Sequence, residues 1–185
     1  HRVIGGSSLG GYPIQYANHS WTRVIMPVTV ITPDSEVQYA EGVRVFLAGT
    51  IDLGNSEDWQ STLISNLDEL TDAPVTVLNP RRDTWYGTPT TDNPEFVKQV
   101  SWEMDNLESA DIIVMRLLGS SHSPVSLLEL GLHARSGKLV VLCDDGFWRA
   151  GNVDAVCERY SVAQVSSPAE LLDAVLDRIE DHHAP

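Results

Sequence analysis

The sequence predicts one α/β domain in which a parallel sheet is covered by helices on both faces. Three observations predict it. From residue 43 onward, β-rich runs of about six residues alternate with helical stretches of about ten to fifteen, a pattern that implies right-handed crossovers between parallel strands. The strand runs (VRVFLA, DIIVMRLL, KLVVLC) are nearly continuously apolar instead of alternating, as expected of strands buried on both sides. The chain has 185 residues and 42% hydrophobic content, enough for one sizeable core and too little for two.

Residues 1–18, with Gly5-Gly6-Ser7-Ser8 and Gly10-Gly11, read as a flexible leader. These glycines are not a dinucleotide loop, because no strand precedes them and no helix follows. Residues 23–31 (RVIMPVTVI) are β-rich but interrupted by Pro27, which suits an edge strand or an extended arm. Residues 33–42 form a polar linker, so the organisation is a leader and N-terminal arm over 1–42 and a domain over 43–185. The first regular strand, 43–48, runs into a small-residue loop (GTID), and Asn55-Ser56 caps a helix over 57–70. A second strand, 74–78, is followed by a polar and aromatic loop, NPRRDTWYG, that continues to Asn93; Asn93-Pro94-Glu95 then opens a helix reaching Ser109. The third strand is 111–118. After it, Ser121 or Ser123 caps a helix with Pro124 in its first turn, which Gly137 ends. The fourth strand is 138–143, the loop after it runs over 144–152, and a short helix over 153–160 leads to a fifth strand at 161–165. Ser167-Pro168 starts the final helix, 169–181.

Ligands of such sheets bind at the carboxyl ends of the strands. The four loops that meet there, 49–55, 79–93, 119–123 and 144–152, supply carboxylates, hydroxyls, amides and aromatics, among them Thr50, Asp52, Asn79, Asp83, Trp85, Ser123, Trp148 and Asn152. Glu129 sits one to two turns into a helix otherwise made of Val125, Leu127, Leu128, Leu130 and Leu132. A buried carboxylate costs several kcal/mol unless paired, hydrogen-bonded or protonated. Glu129 therefore lies either on the solvent stripe or at a pocket wall, where the helix dipole would hold it anionic and nucleophilic.

Net charge is −14, with the acidic residues scattered, so the surface field repels phosphate backbones and argues against nucleic-acid polymers as ligands. Cys143 and Cys157 have neither metal-ligand spacing nor the number for a disulfide scaffold. His122 and His133 are too far apart to share a helix face, and no zinc motif occurs, so no metal site is expected. No phosphate-binding loop of the Walker type and no serine-hydrolase elbow is present. No apolar run is long enough to span a membrane, and the expected setting is cytoplasmic. Two carboxylates on two helices entering one cleft suit cleavage at a sugar's anomeric carbon, and a separation of about 5 Å would allow a covalent sugar intermediate.

The segments VFLAGTI (45–51), EMDNLESAD (103–111) and LELGL (128–132) resemble, in order and spacing, the signature segments of nucleoside 2-deoxyribosyltransferases and of the related nucleotide N-glycosidases. Asn79-Pro80-Arg81-Arg82 and the run SPVSLLELG (123–131) resemble a variant branch of that group. The resemblance implies a flavodoxin-like three-layer sandwich with a five-stranded, mostly parallel sheet. It implies that Glu129 is the nucleophile and that Glu103 stands where the family's supporting acid, usually Asp, is found, with Asp105 as the alternative. Phe46 stands where the family commonly has Tyr, and Ser123 where many members have Asp. The other expected substrate contacts, taken from the walls of the predicted pocket, are Gly49, Thr50, Asp52, Asn79, Arg81, Asp83 and Trp85. Asn152 approximates an amide that reaches a neighbouring subunit's sugar, which implies a homo-oligomer with shared active sites.

The expected activity is therefore transfer of 2-deoxyribose between nucleobases through a glycosyl-Glu129 intermediate. The substrates are a nucleoside and a free base, and no cofactor is needed. One rival is a hydrolase of (deoxy)nucleoside 5′-monophosphates, with Ser123, Thr50 and an arginine holding phosphate. The other is a non-catalytic nucleotide-binding module.

Overall fold

The computed structural model describes residues 28–82, 84 and 87–184. The leader over 1–18 and the first part of the 23–31 run lie outside the described residues.

Six strands form one all-parallel sheet: β1 (Thr29–Ile31), β2 (Val43–Gly49), β3 (Val75–Leu78), β4 (Ile112–Leu117), β5 (Leu139–Cys143) and β6 (Ala163–Val165), in the order β1-β3-β2-β4-β5-β6. The expected five are β2 to β6. The sixth is the three-residue β1, which pairs with β3 (Thr29 opposite Thr76) and occupies the edge of the sheet. With β1 set aside, the order is that of a flavodoxin-like doubly wound sheet, and the sheet is parallel throughout.

Helices cover both faces. On one, α1 (Trp59–Leu70) and α5 (Pro168–His183) bury Trp59, Leu63, Leu67, Leu171, Val175 and Ile179 against Val45, Val77, Val114 and Val140. On the other, α2 (Pro94–Ser109), α3 (Pro124–His133) and α4 (Ala150–Tyr160) bury Leu107, Leu130, Val153 and Cys157 against Phe46, Ile113, Met115 and Val141. Apart from the partly exposed Arg44 and Arg116, residues of β2 and β4 alternate between these two cores, so both strands are covered on both faces and read as nearly continuous apolar runs.

The helix boundaries follow their caps, with three departures. Helix α1 begins two residues later than expected because Asp58, not Asn55 or Ser56, accepts from Ser61 N. Helix α4 begins at Ala150, so Asn152 is helical and not in the preceding loop. Helix α3 ends at His133, well before Gly137. Ser167 and Asn93 cap α5 and α2 by accepting from the N–H groups of Glu170 and Glu95.

The chain leaves β2 for β3 on one side and later crosses to β4 on the other, so the topological switch lies between the carboxyl ends of β2 and β4. Gly49 ends β2 there at φ +117, and a Cβ would stand 2.2 Å from the Arg116 carbonyl oxygen of β4. Only glycine lets the two strands approach this closely before the loop turns away.

Candidate active site

At this switch point a cleft of about 550 Å³ opens between the β2 loop, the loop after β3, one face of α2 and the N-terminal half of α3. That size suits a small molecule. Both carboxylates singled out from the sequence line it: Glu103 from α2 and Glu129 from α3.

Helix α2 presents Phe96, Gln99, Val100 and Glu103 to the cleft, the i, i+3, i+4, i+7 positions of one face. Gln99 is 5% exposed and makes three bonds: its Nε2 donates to Glu103 Oε1 at 2.6 Å and to the Pro80 carbonyl at 3.2 Å, and its Oε1 accepts from an Arg82 Nη at 3.2 Å. Arg82 in turn forks onto Asp34, its Nε donating at 2.8 Å. Glu103 is thus the inner end of a chain, Asp34–Arg82–Gln99–Glu103, that begins at the surface. Burial raises its pKa, while the Gln99 bond and the Arg82 charge pull the other way.

Glu129 has no such support. Among the described residues it has no hydrogen-bond partner, and burial together with the nearby Glu103 charge pushes its pKa up to about 8. The sequence-based expectation that the helix dipole holds it anionic is corrected here: Glu129 lies beyond the first turn, where the dipole field has faded, and desolvation dominates. Burial and the Glu103 charge both favour the protonated form of Glu129 in the free cleft.

Helix α3 starts abruptly. Ser123, its N-cap, adopts a left-handed φ of +42, and its side chain makes no capping bond. The hydroxyl turns instead toward Thr50 (2.6 Å) and Ser121 (2.9 Å), and Ser121 donates to Asp52 at 2.8 Å. Gly49, Asp52 and Ser123 line the cleft, and Thr50, 1% exposed, backs Ser123 from behind.

The other expected contacts lie elsewhere. Phe46 points into the sheet core at 0% exposure, its ring 6.1 Å from that of Trp102, because its place in β2 faces the α2 layer. Asn79 turns its Oδ1 to the Arg81 N–H and so braces its own loop. Arg81 reaches across to the carbonyls of Gly54 and Ser56, locking the β2 loop to the β3 loop, and does not line the cleft; its neighbour Arg82 does. Asn152 and Trp148 line a separate groove of about 310 Å³ between α3 and α4. Asp83 and Trp85 lie outside the described residues, and Asp105 is exposed on the far side of α2 from Glu103.

Sequence reasoning missed Gln99, Phe96 and the cleft role of Arg82. The available signal was spacing: once Glu103 faces the cleft, the residues four and seven positions earlier share its face.

Among the described residues no group of three or more His, Cys, Asp or Glu is placed to hold a metal, and no helix is long and apolar enough to cross a membrane. No curated protein matches the chain. A crystal structure of a conserved protein from Enterococcus faecalis V583 shares the fold at 15% sequence identity, with a TM-score of 0.50, covering 77% of this chain and 99% of that one. Residues 42–147, which carry β2 to β5 and both cleft carboxylates, match the family described as nucleoside 2-deoxyribosyltransferase like. The chain belongs to that family.

Proposed function

We propose that the protein cleaves the N-glycosidic bond of a 2′-deoxynucleoside through a covalent glycosyl-Glu129 intermediate and passes the deoxyribosyl group to a second nucleobase. The observation that carries the reading is that Glu103 and Glu129 line one cleft, with burial and the Glu103 charge favouring a proton on Glu129. A Glu129 oxygen bonds to C1′ as the C1′–N bond breaks, and that electron pair leaves with the base nitrogen. The proton that Glu129 gives up on becoming a nucleophile is the one the departing base needs, and Glu103 is the group in place to relay it. A nitrogen of the incoming base then bonds to C1′ and loses its proton to Glu103, and the Glu129 ester bond breaks to restore the carboxylate. The reaction needs no cofactor, and its setting in this reading is cytoplasmic.

The reading extends to a homo-oligomer. Val125, Leu128 and Leu132 form an exposed apolar stripe on α3 (60%, 64% and 67%), and the first two also border the cleft. A second subunit docked on that stripe would wall the cleft mouth. Asn152, outside its own chain's cleft, would serve a neighbour's.

The test is intact mass after incubation with a 2′-deoxy-2′-fluoronucleoside, followed by peptide mapping. A single fluoropentosyl adduct on Glu129 is expected, since the electron-withdrawing fluorine destabilises positive charge at C1′ and slows the step that releases the adduct. Turnover of unmodified nucleoside with no adduct on Glu129 sinks the mechanism. Parallel assays with and without free acceptor base separate transfer from hydrolysis.

A further inference from the structure

Helix α2 is fixed by different means at its two ends. Of its residues only Gln99 and Leu107 are buried, with Trp102 packed partly against the core, so apolar burial secures mainly the carboxyl-terminal half. The half that faces the cleft is held by polar contacts to residues 32–41, which join β1 to β2. This connection first turns at residues 32–35, where the Thr32 N–H donates to Ser35 Oγ at 2.9 Å and the Ser35 N–H to the Thr32 carbonyl at 3.1 Å. The turn stands beside the carboxyl end of β3, since the Asn79 N–H donates to the Ile31 carbonyl at 2.9 Å. Asp34, within the turn, accepts the fork of Arg82; Arg82 donates to Gln99, and Gln99 to Glu103. Further along, Gln38 Nε2 donates back to the carbonyls of Thr32 and Ser35, while its Oε1 accepts from Trp102 Nε1 at 2.8 Å. The turn of α2 that ends at Glu103 is thus pinned twice, at Gln99 and at Trp102, and both pins lead to the same connection.

We propose that this connection is a strap that positions Glu103, and that Asp34 is the positioning residue that sets it through Arg82 and Gln99; the assignment rests on Glu103 acting in proton transfer. Residues 32–41 precede the stretch that matches the family, which begins at 42. The side chain of Asp34 is 53% exposed and that of Arg82 8%. An ion pair with so exposed a member contributes little to stability. Two parallel bonds to a planar guanidinium nevertheless fix its direction. Direction is what Gln99 needs, because its Oε1 can accept from Arg82 only while its Nε2 faces Glu103 and the Pro80 carbonyl. Removing Asp34 takes away the fork that aims Arg82, and an amide that loses its donor can turn over. A proton-transfer group then loses its geometry while the substrate contacts stay in place. Glu103 is faced by Arg82 from the loop after β3, Asp52 from the loop after β2 and Glu129 from α3, with Glu95 on its own helix. Of these, Arg82 is held by the strap.

Asp34→Ala, Asp34→Glu, Gln99→Leu and the Asp34→Ala/Gln99→Leu double variant are compared in kcat and KM with a 2′-deoxynucleoside and a free base, and the Glu103 carboxyl is titrated by carbon-13 NMR. Asp34→Ala is expected to lower kcat about tenfold at an unchanged KM. It should also move the Glu103 titration upward, because burial then acts without the two contacts that oppose it. The thermal midpoint should hardly move, and Asp34→Glu, which keeps a fork for Arg82, should restore the rate. In the double variant, Asp34→Ala should add nothing to the loss caused by Gln99→Leu. Losses that multiply, or a Glu103 titration that Asp34→Ala leaves in place, overturn the proposal and leave the N-glycosidic chemistry standing. A Glu103 titration that moves with Asp34 in a protein that cleaves no deoxynucleoside overturns that chemistry and keeps the strap.

Discussion

Helices α2 and α3 each bring one glutamate to the same cleft, and they treat it differently. On α2, Glu103 is held by Gln99, which is braced by Pro80 and Arg82, which is anchored by Asp34. On α3, Glu129 stands among Ser126, Val125 and Leu128 with no polar contact among the described residues, and its pKa rises to about 8. The difference teaches how two identical side chains acquire two roles. A carboxylate locked in a hydrogen-bond chain has a fixed position and a moderated charge, which suits proton transfer. One left unsolvated and unpartnered breaks no hydrogen bond to a protein group when it forms a bond to carbon.

The largest break in this comparison is Glu129→Ala. Turnover should fall by at least about a thousandfold with the thermal transition retained, because no neighbouring oxygen occupies its place. Activity near the wild-type level would transfer the nucleophile's role to another group. Glu103→Gln is the second. It should lower kcat/KM by about a hundredfold. It also removes the charge that helps to raise Glu129. The falling limb of kcat/KM against pH, expected near 8 in the wild type because above it the pair has lost the proton that the departing base needs, should therefore move to lower pH. A limb that stays in place would mean that the two carboxylates do not sense each other.

The sequence carried the position of α3 well and left Glu129 with two alternatives, solvent stripe or pocket wall; it did not show that Leu128 beside it is exposed while Leu130 is buried. The parallel sheet was equally legible in the nearly continuous apolar runs of β2, β4 and β5. Less was legible wherever a residue's role depends on which layer it faces. Phe46 and Ala48 point into the α2 layer while Val45 and Leu47 point to α1, a parity that sequence does not reveal when both faces are apolar. Arg81 and Arg82 are adjacent and chemically identical, and only the course of the loop decides that the first locks the β2 loop while the second lines the cleft. Asn152 moved from loop to helix because α4 starts at Ala150 without a capping side chain to announce it.

Gln99→Leu sharpens the comparison at smaller amplitude. Leucine fills most of the volume and removes the donor to Glu103, so α2 should keep its place while Glu103 loses what lowers its pKa. A drop of about tenfold in kcat is expected, with little change in KM and an upward shift of the pH profile. Gln99→Asn, which keeps an amide but shortens it, should fall between. A purely structural role for Gln99 would lower the thermal midpoint and leave the pH profile unmoved.

The smallest effect is on stability, and its size separates the two glutamates most directly. Glu129 has a folded-state pKa near 8 against an ordinary value of 4.5, so folding favours its protonated form. Whatever it contributes to stability is fully present below about pH 4.5 and is lost as pH rises through 8, where a charge must be held in the cleft. A neutral isostere has no such dependence. Glu129→Gln should therefore melt with the wild type at pH 4 and higher at pH 9, by roughly 5 °C after allowing for the group's partial solvent access. Glu103→Gln should gain less at pH 9, because the ionised form it replaces accepts a bond from Gln99 that the amide accepts more weakly. Equal gains for the two variants would show that the Asp34–Arg82–Gln99 chain does not distinguish them, and the division of roles would then rest on position alone.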